Sequence, residues 1–193
     1  AATMGVDAIK KSLNTAIPSD TLSEINEEVS ACSYPKAENQ FCYIDIARED
    51  AISLLVGGIN QDKLAKKANI TTTDSAMFIL GHEWGHKVYN DNFIAPDKKF
   101  IAPDTEENLT SQHKSEVFAD VHSALTFLKY GKNKDFISHM VNYRNSNLVK
   151  SALNVMNGAE NVDMDTVAKY NTAPALKAVI EMYEKNPKII ANM

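Results

Sequence analysis

The sequence predicts one mostly helical domain with a small β-sheet, an α+β chain forming a single unit over residues 1–193. Three observations predict it. Glycine and proline are scarce, 7 and 6 respectively in 193 residues, whereas sheet proteins place such residues at most of their tight turns. Apolar residues recur at three- and four-residue spacing through most of the chain. A single short stretch, Gln40–Ala47, carries a strand-like pattern.

Taken in order, Gly5 to Ala16 sets Val6, Ile9 and Leu13 at helical spacing. Pro18, Ser19 and Asp20 punctuate, and Asp20 or Thr21 caps a second helix to about Ala31. Phe41, Tyr43, Ile44 and Ile46 make the strand, although its alternation is imperfect. A helix from Glu49 or Asp50 runs through Leu55 and stops at Gly57-Gly58, and a short one covers residues 60–68. Thr71-Thr72-Thr73-Asp74 is a capping cluster. The helix behind it, Ala76 to Tyr89, is apolar on nearly all sides and should be buried, Trp84 included. A surface loop then repeats Phe93-Ile94-Ala95-Pro96-Asp97 as Phe100-Ile101-Ala102-Pro103-Asp104. Ser111 to Tyr130 is a strong helix with Val117, Val121, Leu125 and Leu128 on its core face, and Gly131 ends it. Helices at 134–144, 147–156 and 174–185 follow, with Pro187 closing the last. No linker rich in Ser, Gly or Pro divides the chain.

Composition narrows the function classes. Hydrophobic residues make 44% and charged residues 23%, which excludes a disordered chain and a collagen. The net charge is −5 with no basic block, against the footprint of a nucleic-acid or anionic-membrane binder. No apolar run approaches the roughly 18–20 residues of a membrane span. Cys32 and Cys42 stand close together in a polar stretch. A bridge between them fits an oxidising compartment. With the absent initiator Met, this gives a periplasmic or secreted location as the expectation. Two reduced thiols in a cytosolic chain are the alternative, and a zinc site using both is disfavoured because no further Cys exists.

The chemistry sits in His82-Glu83-Trp84-Gly85-His86, an H-E-x-x-H pattern. Residues four apart share a helix face, so His82 and His86 can reach one metal ion. Glu83 is turned about 100° from His82 and can face water beside the ion, where a general base is needed. Gly81 and Gly85 are read as a packing surface for another element behind the metal helix. A catalytic zinc needs a third protein ligand, and the candidates are His113, Glu116, Asp120, His122 and His139. Glu116 and Asp120 lie four apart in E-x-x-A-D on the next strong helix. Glu116 can ligate while Asp120 accepts a hydrogen bond from the far nitrogen of a zinc histidine. His113 is the reserve ligand, and His122 points away from Glu116 and reads as structural or surface. Asn161-x-Asp163-x-Asp165 reads as a helix cap rather than a calcium loop, because Thr166 and Thr172 occupy positions that need Gly and Glu.

H-E-x-x-H followed on a later helix by E-x-x-A-D resembles the gluzincin class of zinc metallopeptidases, and the thermolysin-like enzymes in particular. The Ala before Asp120 is nearer to the membrane heat-shock and CAAX-processing peptidases, whose membrane spans this chain lacks. A metzincin pattern would need His and Gly soon after His86, and residues 87–97 hold neither. The resemblance covers about 40 residues in two helices. It implies a zincin-like helical core, Zn2+ on His82, His86 and Glu116, Glu83 as base, and Asp120 behind a ligand. It also implies a Tyr or His that stabilises the oxyanion, for which His139 and Tyr143 stand four apart beside Arg144. The expected function is zinc-dependent hydrolysis of a peptide or protein substrate. The alternatives are a non-catalytic zinc-bearing binding or regulatory protein, and zinc hydrolysis of a non-peptide amide.

Overall fold

The computed structural model describes residues 48–93, 106–158 and 164–193. The helices expected over 5–31, the strand at Gln40–Ala47, Cys32, Cys42, and the duplicated loop after Phe93 lie outside the described residues. Eight helices occur among the described residues: α1 (Arg48–Val56), α2 (Gln61–Lys67), α3 (Thr72–Phe93), α4 (Glu106–Lys129), α5 (Lys134–Met156), α6 (Met164–Lys169), α7 (Ala173–Lys185) and α8 (Pro187–Ala191). No strand occurs among them. The expectation of an α+β chain with a small sheet is therefore corrected to a helical architecture.

Local chemistry explains most boundaries. Thr71 and Asp74 cap each other at the start of α3. The Asp74 N–H donates to Thr71 Oγ1 at 3.2 Å, while the Thr71 N–H and hydroxyl donate to Asp74 Oδ2 at 3.2 and 2.9 Å. Gly131, at φ +70, closes α4: its N–H donates to the Leu128 carbonyl, and that of Lys132 to the Phe127 carbonyl. Two helices were expected over 134–144 and 147–156, yet α5 runs through both. The residues between them, Asn145 and Ser146, include neither Gly nor Pro. The Ser146 hydroxyl accepts from Gln61 Nε2 at 3.1 Å, so it is engaged across helices instead of competing with its own backbone. Pro187 opens α8 instead of ending the chain's helices, since a first helical position has no use for the N–H that proline lacks.

The core collects Phe78 from α3, Ala124, Phe127 and Leu128 from α4, Phe136, Ile137 and Met140 from α5, Leu176 and Val179 from α7, and Ile190 from α8. Three phenylalanine rings tie α3, α4 and α5, with centroids 5.3 Å apart for Phe78–Phe136 and 4.8 Å for Phe127–Phe136. α3 is not buried all round: among the described residues Met77, Leu80 and Trp84 are exposed, Trp84 at 47%. The expectation that Trp84 belongs to the core is corrected accordingly. Lys87 stacks over its ring instead.

α3 and α4 form the most extensive pair, and glycine makes it close. A Cβ built on Gly85 would lie 2.7 Å from Ala119 Cα, and one on Gly81 would lie 2.7 Å from Ser123 Oγ. The Ser123 hydroxyl reaches across to the Phe78 carbonyl at 2.7 Å. The helix that approaches the glycines is thus the one that carries Glu116 and Asp120. It lies on the ligand side of α3, not behind it.

Candidate metal centre

His82 and His86 project from α3 toward Glu116 on α4. His82 Nε2 and His86 Nε2 are 3.0 Å apart, and Glu116 Oε2 lies 3.3 Å from the first and 3.6 Å from the second. These three side chains form a group that could hold one ion. Donors around a tetrahedral zinc with bonds of about 2.0–2.1 Å stand about 3.3 Å apart, so the observed triangle has the right size. Glu116 Oε2 is buried and has no hydrogen-bond partner. With both Nδ1–H groups donated outward, three acceptor atoms would face one another in a buried site, which is costly unless a proton or a metal ion sits among them. A cation shared by all three atoms removes that cost, so the donor set fits a metal.

The far ring nitrogens fix which way the histidines face. His82 Nδ1 lies 2.7 Å from Asp120 Oδ1, and His86 Nδ1 lies 2.8 Å from Ser115 Oγ. With Nδ1–H donated outward, each Nε2 lone pair turns inward. Asp120 is fully buried and accepts from Arg144 Nε and Nη2, both at 2.9 Å, and from the Thr172 hydroxyl.

The electrostatics follow from this crowding. Burial alone would lower the His82 pKa, but its contacts with Asp120 and Glu116 outweigh burial and push it up to about 9. Burial would raise Glu116, yet the two histidines hold it down to about 2. Asp120 is likewise held far below the ordinary carboxylate range against its burial, by the Arg144 charge and by His82.

A cleft of about 570 Å³ lies beside this centre and reaches it at His82. His82 and Glu83 of α3, Tyr143 and Arg144 of α5, and Tyr170 line it, together with the apolar side chains of Phe78 and Met140. The Arg144 guanidinium sits 5.0 Å from the Tyr170 ring centroid and 5.9 Å from that of Tyr143. Burial, then the Glu116 charge, push the Tyr170 phenol up to about 12, so it stays a neutral hydrogen-bond donor.

The expected site residues therefore divide. His82, His86 and Glu116 come together, Asp120 stands behind His82, and Glu83 and Tyr143 line the cleft. His139 does not join them. It is completely buried, and its Nε2–H donates to the Leu54 carbonyl, which binds α5 to α1. A catalytic role for His139 is corrected to a structural one. The reserve ligand His113 turns its Nδ1 to the Lys169 carbonyl, and His122 turns its own to the Gly81 carbonyl. Asn161 and Asp163 lie outside the described residues.

Sequence reasoning missed Ser115, Tyr170 and Thr172, and passed over Arg144 as a neighbour of Tyr143. Ser115 had a signal, since it precedes Glu116 on the same helix. Tyr170 and Thr172 had none, because tertiary packing alone brings them to the site. Comparison of the chain with known protein families, curated proteins and solved structures finds no match.

Proposed function

We propose that the protein is a zinc-dependent hydrolase of peptide bonds. One observation carries the reading: two imidazole nitrogens and a buried carboxylate oxygen converge at zinc spacing, and His82 of that set lines a cleft together with Glu83. The chemistry such an ion supplies when bound is Lewis acidity toward a carbonyl and acidification of water. Glu83, on the cleft side of α3, takes the proton of the attacking water on its carboxylate and hands it to the leaving amine. Tyr170 and Tyr143 offer phenolic O–H donors to a substrate oxygen. A purely structural zinc site would have no use for a carboxylate beside the open cleft, which favours hydrolysis over a zinc-bearing binding module.

The test is zinc content together with hydrolysis of a broad peptide library, with Glu83→Gln as the comparison. We expect about one zinc per chain in both proteins. Glu83→Gln should lose at least about 100-fold in hydrolysis, the usual scale for a missing general base. Full activity in Glu83→Gln would refute the mechanism. Absence of cleavage by the wild type across the library would favour the non-catalytic reading. An oxidising compartment belongs to the same proposal, and finding Cys32 and Cys42 as free thiols in denatured, non-reduced protein would contradict it.

A further inference from the structure

The side chains that aim the ligands come from two helices, α4 and α5, and one helix cap. Thr172 is the informative one. It occupies the N-cap position of α7, where a threonine hydroxyl ordinarily accepts a backbone N–H of the first turn. It makes no such bond. Pro in the first turn of α7 already removes one N–H that would need a partner. The Thr172 hydroxyl is instead completely buried and donates to Asp120 Oδ2. Arg144 holds the same carboxylate through both Nε and Nη2. Both Asp120 oxygens are thereby occupied, and Oδ1 is aimed at His82 Nδ1. His86 is held separately, by the Ser115 hydroxyl.

We propose that Thr172, acting with Arg144, is a positioning residue of the metal centre. Its hydroxyl locks Asp120 in the one rotamer that turns His82 Nε2 toward the ion, and Ser115 does the same for His86. The inference rests on the zinc reading above, and it makes the α7 cap serve the metal rather than the helix. A residue that merely capped α7 would change helix stability and leave the metal alone. A positioning residue changes metal affinity and the ligand field.

The experiment measures zinc affinity by chelator competition, and the cobalt(II) absorption spectrum, for wild type, Thr172→Val, Thr172→Ser and Ser115→Ala. Thr172→Val and Ser115→Ala should each weaken zinc about 10-fold, the lower end of the effect of removing a residue that orients a ligand. The double variant should weaken it about 100-fold, because the two hydroxyls act on different histidines. Thr172→Ser keeps the hydroxyl and should bind as wild type does. Cobalt bands should shift in Thr172→Val and return in Thr172→Ser. Metal-free Thr172→Val should keep the helical circular dichroism of the wild type. If Val does not fit beside the buried carboxylate, Thr172→Ala removes the same hydroxyl without adding bulk. A folded Thr172→Val or Thr172→Ala that binds zinc as tightly as wild type overturns the proposal, as does a Thr172→Ser as weak as Thr172→Val. Wild type that binds no zinc overturns the functional reading with it, which separates the two failures.

Discussion

His82 can offer Nε2 to a metal only by giving up a proton, because without the ion Asp120 and Glu116 push its pKa up to about 9. Zinc loading near neutrality should therefore release about one proton from this residue, and affinity should rise with pH until about 9 and then level off. Calorimetric titration in buffers of different ionisation enthalpy reads the released proton directly, and a binding enthalpy independent of buffer would contradict it. The same shift sets the stability of the metal-free protein. The folded pKa lies above the ordinary 6.5, so the contribution is complete below about 6.5 and is lost as pH rises through about 9. Glu116 acts at the other end: its folded pKa is lowered to about 2, so its contribution is present above the ordinary carboxylate range and fades as pH falls toward 2. Tyr170 and His139 give a contrasting pair. Tyr170→Phe should lower kcat by roughly 100- to 1,000-fold with zinc retained, as expected when one donor to a developing oxyanion is lost. His139→Gln should leave zinc content and kcat near wild type while lowering thermal stability, because the bond it loses joins α5 to α1. Equal kcat losses in the two variants would return His139 to the site.

The three candidate ligands converge because two long helices approach closely, and the approach is set by glycine. Gly85→Ala places a methyl group 2.7 Å from Ala119 Cα, where only backbone movement can relieve the overlap. Overpacking of this kind costs about 1–3 kcal/mol. It should also drive α4 away from α3 and pull Glu116 from the histidines, so zinc affinity and thermal midpoint should fall together. A variant that lost stability with unchanged zinc affinity would show that the ligands tolerate a wider helix spacing. This pair of elements was legible in the sequence because every relation in it has a period of one helix turn. His82 and His86, Gly81 and Gly85, and Glu116 and Asp120 are each four apart. The same rule misled at His139 and Tyr143. They too are four apart, but the His139 ring is tied to the Leu54 carbonyl of α1. Tyr143 reaches the cleft, while His139 is buried beneath Leu54. Spacing places residues on a face, and the neighbouring helix decides which part of the face stays open.

At the scale of the molecule, what escaped sequence reading is what chain folding alone assembles. Arg144 lies 24 residues from Asp120 and Thr172 lies 52 residues from it, and no periodicity links positions so far apart. The described residues form helices and turns with no strand, and the one stretch with a strand-like pattern lies outside them. The core and the candidate metal centre are nevertheless contiguous, since Phe78 stands one turn before His82 on α3 and Met140 one turn before Arg144 on α5. This arrangement predicts two separable sources of stability. Zinc bound to the folded chain alone stabilises by mass action, about 4 kcal/mol at 1,000 times its Kd. For a chain of this length that is a rise in thermal midpoint of roughly 10 °C. Phe136→Ala opens the aromatic core and should cost about 3–5 kcal/mol, lowering the midpoint with and without zinc while preserving the difference between them. Glu116→Ala removes a ligand and should abolish the difference, so that its midpoints with zinc and with chelator coincide. Differential scanning calorimetry of the three proteins, each with zinc and with chelator, measures all of these quantities. A zinc-dependent shift that survives in Glu116→Ala would place the ion elsewhere in the molecule.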